Sequence, residues 1–162
     1  MGWLTIIKPR PIYVYVDTSV FGGVFDKDFS RASRRFFALA DAGRFRIAIS
    51  PIVMAEMEGA PSKVRAFYDG VHAKCDVLEI SDSVIRLSRA YIDARVVTRR
   101  WEADARHVAL ATVGKCSMIV TWNFKHIVSF RRIPLYNAVN RANGYGEIGI
   151  YSPLEVTEDE EA

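Results

Sequence analysis

The sequence predicts an α/β domain: a central, mainly parallel sheet of four to five strands sandwiched between helices, in three α/β/α layers. Three observations predict it. Short apolar runs rich in β-branched and aromatic residues recur along the chain, and helical patterns lie between them. Two of the runs, residues 12–16 and 118–121, are apolar at nearly every position, as strands covered on both faces are.

Taken in order, Ile12-Tyr13-Val14-Tyr15-Val16 is the first strand. Residues 29–42 then read as a helix, with Phe36, Phe37, Leu39 and Ala40 on one side. Ile47-Ala48-Ile49 is the second strand. Ser50-Pro51 after it supplies an N-cap and a proline suited to a first helical position. Val77-Leu78-Glu79-Ile80 is a third strand, and Ser81-Asp82 opens a helix to about Val96 on a Val84, Leu87, Tyr91 stripe. A further helix spans 101–115, with Gly114 near its end suited to termination. Met118-Ile119-Val120-Thr121 is the fourth strand, and Ile148-Gly149-Ile150 is a candidate fifth.

The chain of 162 residues is long enough for one domain with its own core, expected over 1–154. Residues 155–162 carry five acids and no base, and are expected to form a disordered acidic tail. Without them the body holds 22 basic and 14 acidic residues, a balance that attracts polyanions such as nucleic acid. An ordinary solvated surface beside a charged tail is the other reading. The apolar runs are too short for a membrane span, and the opening residues lack the basic start and long apolar stretch of a secretory leader. Cys75 and Cys116 have neither metal-site nor disulfide spacing, so free thiols and a cytoplasmic location are expected.

In a parallel sheet of this kind, sites lie beyond the carboxyl ends of the strands. Asp17 is the first polar residue after the first strand, with Ser19 two positions on; a plain helix cap is the competing reading. Glu56 falls three and four residues after Val53 and Ile52, on their apolar helix face, where it needs either an arginine or a cation. Asp104 shares a stripe with Val108 and Ala111 and has no obvious partner, because Glu102 and Arg106 pair with each other at a spacing of four. His107, next on that helix face, reads as an orienting or core residue rather than a ligand. Asn123 brings an amide oxygen to the tip of the fourth strand. Three carboxylates and an amide at such positions suit a hard divalent cation, Mg²⁺ or Mn²⁺, bound through oxygen. Such an ion readies a water for attack on a phosphodiester.

Four segments carry a resemblance: Tyr13-Val14-Tyr15-Val16-Asp17-Thr18-Ser19, then Ile49-Ser50-Pro51-Ile52-Val53-Met54-Ala55-Glu56, then residues 103–111, and Val120-Thr121-Trp122-Asn123-Phe124-Lys125-His126-Ile127. In order and spacing they resemble the PIN-domain nucleases, in particular the VapC-type toxins of toxin–antitoxin systems. The resemblance implies Mg²⁺- or Mn²⁺-dependent cleavage of single-stranded RNA, a homodimer, and a cognate antitoxin as inhibitor. It makes Asp17, Glu56 and Asp104 the acidic metal-site residues, with Ser19 in support. The chain departs from many family members at Asn123, where they carry an aspartate, so the site has three formal negative charges. Lys125 and His126 then stand at the rim where RNA phosphates would pass. Arg99 and Arg100 are phosphate-contact candidates or merely solvated, and Trp122 reads as core.

Two other classes share part of this pattern. A phosphatase or phospho-acceptor domain also places an aspartate after its first strand, but the phosphatase pattern wants Asp-x-Asp, and Ser19 occupies the third position. A receiver domain wants an acidic pair ahead of that strand, and none is present. A catalytically weakened RNA-binding or antitoxin-binding domain of the same fold is the non-enzymatic alternative, with Asn123 as its trace.

Overall fold

The computed structural model describes residues 9–158; the opening residues and the last part of the acidic tail lie outside them. Its centre is a five-stranded, wholly parallel sheet in the order β3-β2-β1-β4-β5. The strands are β1 (Ile12–Val16), β2 (Phe45–Ile49), β3 (Asp76–Val77), β4 (Met118–Val120) and β5 (Gly149–Tyr151). Val14 and Tyr15 pair with Ile47 and Ala48 on one side, and Val14, Tyr15 and Val16 pair with residues 118–120 on the other. That central position is why β1 is apolar throughout: Val14, Tyr15 and Val16 are wholly buried.

The helices are α1 (Thr18–Gly23), α2 (Ser30–Asp41), α3 (Pro51–Glu58), α4 (Ser62–Val71), α5 (Asp82–Asp93), α6 (Glu102–Val113), α7 (Arg132–Ala142) and α8 (Pro153–Thr157). They form two sets, α1–α4 with α8 and α5–α7, which give the three-layer α/β/α arrangement. In α5 the expected stripe of Val84, Leu87 and Tyr91 is the buried face, and the Ser81 hydroxyl accepts from the Val84 amide as an N-cap. Among the described residues, no helix is long and apolar enough to cross a membrane.

Several local expectations are corrected. Ser50 precedes α3 and Pro51 is its first residue, but the Ser50 side chain makes no cap bond; its hydroxyl meets the Tyr15 hydroxyl at 2.8 Å instead. The third strand is only two residues long at the sheet edge, and residues 78–80 leave it after the Leu78 amide bonds the Ile49 carbonyl. Gly114 does end α6, yet Lys115 is the residue with positive φ. Gly114 is needed for another reason: a Cβ there would lie 2.8 Å from a methyl of Leu78. Glu155 of the acidic segment lies in α8, where it completes a capping box with Ser152.

The strand order reverses between β1 and β4: the chain runs outward from β1 to β2 and β3, then returns to the other side with β4. The carboxyl ends of β1 and β4 therefore flank the topological switch point, where an open α/β sheet leaves a crevice.

Candidate active site

Asp17 follows β1 at that crevice. Its backbone is extended and it caps α1 by position, but its carboxylate makes no cap bond, so the helix-cap reading fails. Both oxygens are taken by hydroxyls instead. Ser19 Oγ donates to Oδ1 at 2.6 Å and Thr121 Oγ1 donates to Oδ2 at 2.8 Å. The backbone just past β4 fixes those hydroxyls, since the Trp122 amide donates to Ser19 and the Asn123 amide to Thr121. Asp17 is 6% exposed, and burial raises its pKa; His107 and the two hydroxyls oppose the shift, and the charge of Glu56 adds to it.

Asp104, in the first turn of α6, is half-buried. It accepts a hydrogen bond from Asn123 Nδ2 at 2.8 Å, while the His126 amide donates to Asn123 Oδ1. The amide oxygen of Asn123 is thus occupied by backbone, and its NH₂ group faces the acid. An aspartate here could not donate that bond. Burial raises the pKa of Asp104 as well; His126 and His107 pull it down, and Asp17 and Glu56 push it up. The carboxylates are close enough to feel one another's charge.

Glu56 departs from expectation. Val53 and Met57 are the buried residues of α3, and the Glu56 side chain is 42% exposed at the crevice edge rather than on an apolar face. It accepts a hydrogen bond from the Thr18 hydroxyl and lies 3.8 Å from His107 Nε2. His107 and the Thr18 hydroxyl together hold the Glu56 carboxyl below its usual range, against the effect of burial. His107 is buried and oriented by Tyr15, whose hydroxyl lies 2.7 Å from Nδ1.

Among the described residues, none of Asp17, Glu56 and Asp104 is paired with Lys or Arg, so the arginine reading of Glu56 fails. Arg106, the nearest candidate on α6, is bound to Glu102 at 3.2 Å. Among the same residues, no three His, Cys, Asp or Glu form a ready-made metal shell. Donor type and charge nonetheless fit a hard divalent ion: all three are carboxylates, coupled in charge and, among the described residues, paired with no Lys or Arg. Water and phosphate oxygens would complete such a sphere.

Of the basic residues expected at the rim, Lys125 is exposed, and Arg99 and Arg100 are exposed in a short 3₁₀ turn ahead of α6. Arg100 lies over the Trp101 ring at 5.1 Å, and His126 stacks on the same ring at 4.0 Å. His126 is therefore held by an aromatic rather than extended into solvent. Trp122 is core as expected: it is 9% exposed, stacks on Phe29 at 4.2 Å and donates from Nε1 to Ser33. Sequence reasoning missed Thr18 and Thr121 as hydroxyl donors and Tyr15 as the residue that orients His107. The available signal was their position: Thr121 closes the β4 run and Thr18 follows the first acid.

A family model described as PIN domain matches residues 13–125. Among solved structures, the chain resembles one of VapBC2 from Rickettsia felis bound to a DNA fragment from their promoter. The TM-score is 0.58 at 17% identity, with 87% of this chain and 98% of that one covered. A tyrosyl-tRNA synthetase from Archaeoglobus fulgidus complexed with L-tyrosine aligns at a TM-score of 0.48 and 11% identity, over 91% of this chain and 56% of that one, too weakly to carry weight. No curated protein matches the sequence. The family match spans well over half of the chain and takes in every acid of the crevice, and the chain belongs to the PIN domain family.

Proposed function

We propose that this chain is a VapC-like toxin: a divalent-metal-dependent endoribonuclease that hydrolyses phosphodiesters of single-stranded RNA and is held in check by a cognate antitoxin. One observation carries the reading. A buried carboxylate, Asp17, is held by two hydroxyls and, among the described residues, paired with no Lys or Arg, and two further acids within electrostatic reach share that lack. Buried acids kept without a counter-ion cost stability, and such residues concentrate at functional sites.

In this reading Asp17 and Asp104 hold Mg²⁺ or Mn²⁺, with Glu56 beside them. When bound, the ion keeps these carboxylates ionised and supplies the positive charge that phosphodiester hydrolysis needs. Ser19 and Thr121 fix the orientation of Asp17, and Asn123 does the same for Asp104. Glu56, half-exposed and kept ionised by His107 and Thr18, adds a third negative charge to the site. Lys125, Arg99 and Arg100 supply positive charge at the rim for the RNA backbone. The antitoxin part of the reading draws on the likeness to the VapBC2 structure, and a homodimer is what the sequence resemblance implies.

The test is cleavage of a labelled single-stranded RNA by the purified chain with Mn²⁺ or Mg²⁺ and with EDTA. Metal-dependent cleavage is expected to fall by roughly a hundredfold or more in Asp17→Asn, Asp104→Asn and Glu56→Gln. Cleavage that survives all three changes would remove the assignment. One observation favours a weakened, binding-only domain: Asn123 stands where many relatives have an acid, and the described acids form no closed trio. A chain of that kind would show no thermal stabilisation by Mn²⁺.

A further inference from the structure

The segment that leaves β4 alternates. Thr121 donates to Asp17 and Asn123 donates to Asp104, so the odd positions face the acids. Trp122 and Phe124 face the other way, into an aromatic cluster with Phe29. Residues 121–124 therefore part the two groups, carboxylates bonded to Thr121 and Asn123 and rings gathered at Trp122 and Phe124, before the chain turns, with the Phe124 amide bonded to the Trp122 carbonyl.

On the ring side lies a cavity of about 770 Å³, whose lining includes Phe29, Trp122, Phe124 and Arg31. Its two arginines are offset by two acids, Asp28 and Glu158, so it does not select for a phosphate. Trp122 is closed off by Phe29 and Ser33, but Phe124 is 51% exposed and has ring surface to offer. A half-exposed aromatic in a charge-balanced hollow suits a neutral planar group. Since adjacent bases of an extended strand lie a few ångströms apart, a strand crossing this segment with a phosphate at the acids would set a neighbouring base against the rings.

We propose that Phe124, backed by the Phe29–Trp122 stack, is a base-stacking platform that holds the nucleotide next to the cleaved phosphate of single-stranded RNA. The proposal rests on the nuclease reading for its substrate, and names a binding residue outside the acidic cluster. Base–aromatic stacking tolerates any sequence, so the platform adds affinity and register rather than base choice.

The experiment measures binding of a fluorescent single-stranded RNA by the full chain in EDTA, where no cleavage occurs, so that it stands apart from the catalytic test. F124A is expected to weaken binding about tenfold or more, and F124W to restore it. A second series replaces one nucleotide at a time with an abasic ribose. One position should weaken the wild type while leaving F124A unaffected, since the partner ring is already gone. Unchanged affinity in F124A overturns the platform, whatever Asp17→Asn does to cleavage. A shift in sedimented mass in F124A without a change in affinity also overturns it, because the ring would then serve a protein contact. If cleavage proves indifferent to Asp17 while F124A still weakens RNA, the acid assignment falls and the platform stands.

Discussion

Burial pushes Asp17 toward its protonated form, and that links the residue to stability. With a folded pKa above the unfolded one, the native state binds more protons over the interval between them, so stability falls as pH rises through it. Asp104 acts in the same direction, whereas Glu56, with its pKa lowered, contributes stability that is lost as pH falls. Asp17→Asn removes the buried charge and keeps the shape. Metal-free, it is expected to unfold at higher denaturant than the wild type at pH 7, with the gap closing toward pH 4. Saturating Mn²⁺ should reverse the order, adding about 2.7 kcal/mol to the wild type at a hundredfold excess over Kd and little to the variant. Equal midpoints at pH 7 in EDTA would show that the site tolerates the charge unaided. Asp17 was legible in the sequence because a polar residue ending an apolar strand has few other places to go. Glu56 was misread because α3 buries only a narrow line through Val53 and Met57, and one helical step carries a side chain off it. The bonds of Asn123 were beyond reach, since they depend on how residues 123–126 turn back on themselves.

Elements with a clean period were recognised, and those with a conflicting residue were not. α5 showed its stripe and its cap in the sequence. α7 was missed because Pro134 reads as a break, although in the first turn of a helix it interrupts no intrahelical bond. α4 contains Gly70 near its end, and α8 is five residues long inside an acidic stretch. None of these three touches the acids, so the crevice was readable without them. Close approach between elements was equally hidden. Gly23, the last residue of α1, leaves space that Trp122 and Ser33 fill: a Cβ there would lie 2.5 Å from Ser33 Oγ and 2.7 Å from Trp122 Nε1. Gly23→Ala must part the Trp122–Ser33 bond or shift α1, and is expected to cost about 1–3 kcal/mol. In a chain of this length that lowers Tm by roughly 2–4 °C per kcal/mol. An unchanged Tm would mean that the aromatic cluster moves freely, which would also weaken the case for Phe124 as a platform.

Across the whole molecule, alternation of strand and helix foretold the parallel sheet, and the sheet foretold that Asp17 and Asn123 would stand beyond strand ends. Charge acts at the same scale but with less structural detail. The formal charge is +3, with five of the nineteen acids in residues 155–162 and no base among them. Ending the chain after Glu158 removes Asp159, Glu160 and Glu161, and leaves α8, which is held by its capping box and by Arg35 Nε donating to the Thr157 carbonyl at 3.0 Å. Because α8 stays whole, the truncated chain should match the full one in unfolding midpoint to within about 0.5 kcal/mol. Its formal charge rises to +6. Single-stranded RNA should therefore bind it more tightly at low salt, and the difference should fade by about 1 M salt, where screening reaches only about 3 Å. Equal affinities at low salt would mean that the terminal acids lie too far from the bound strand to act on it, and that the rim cations set the field alone.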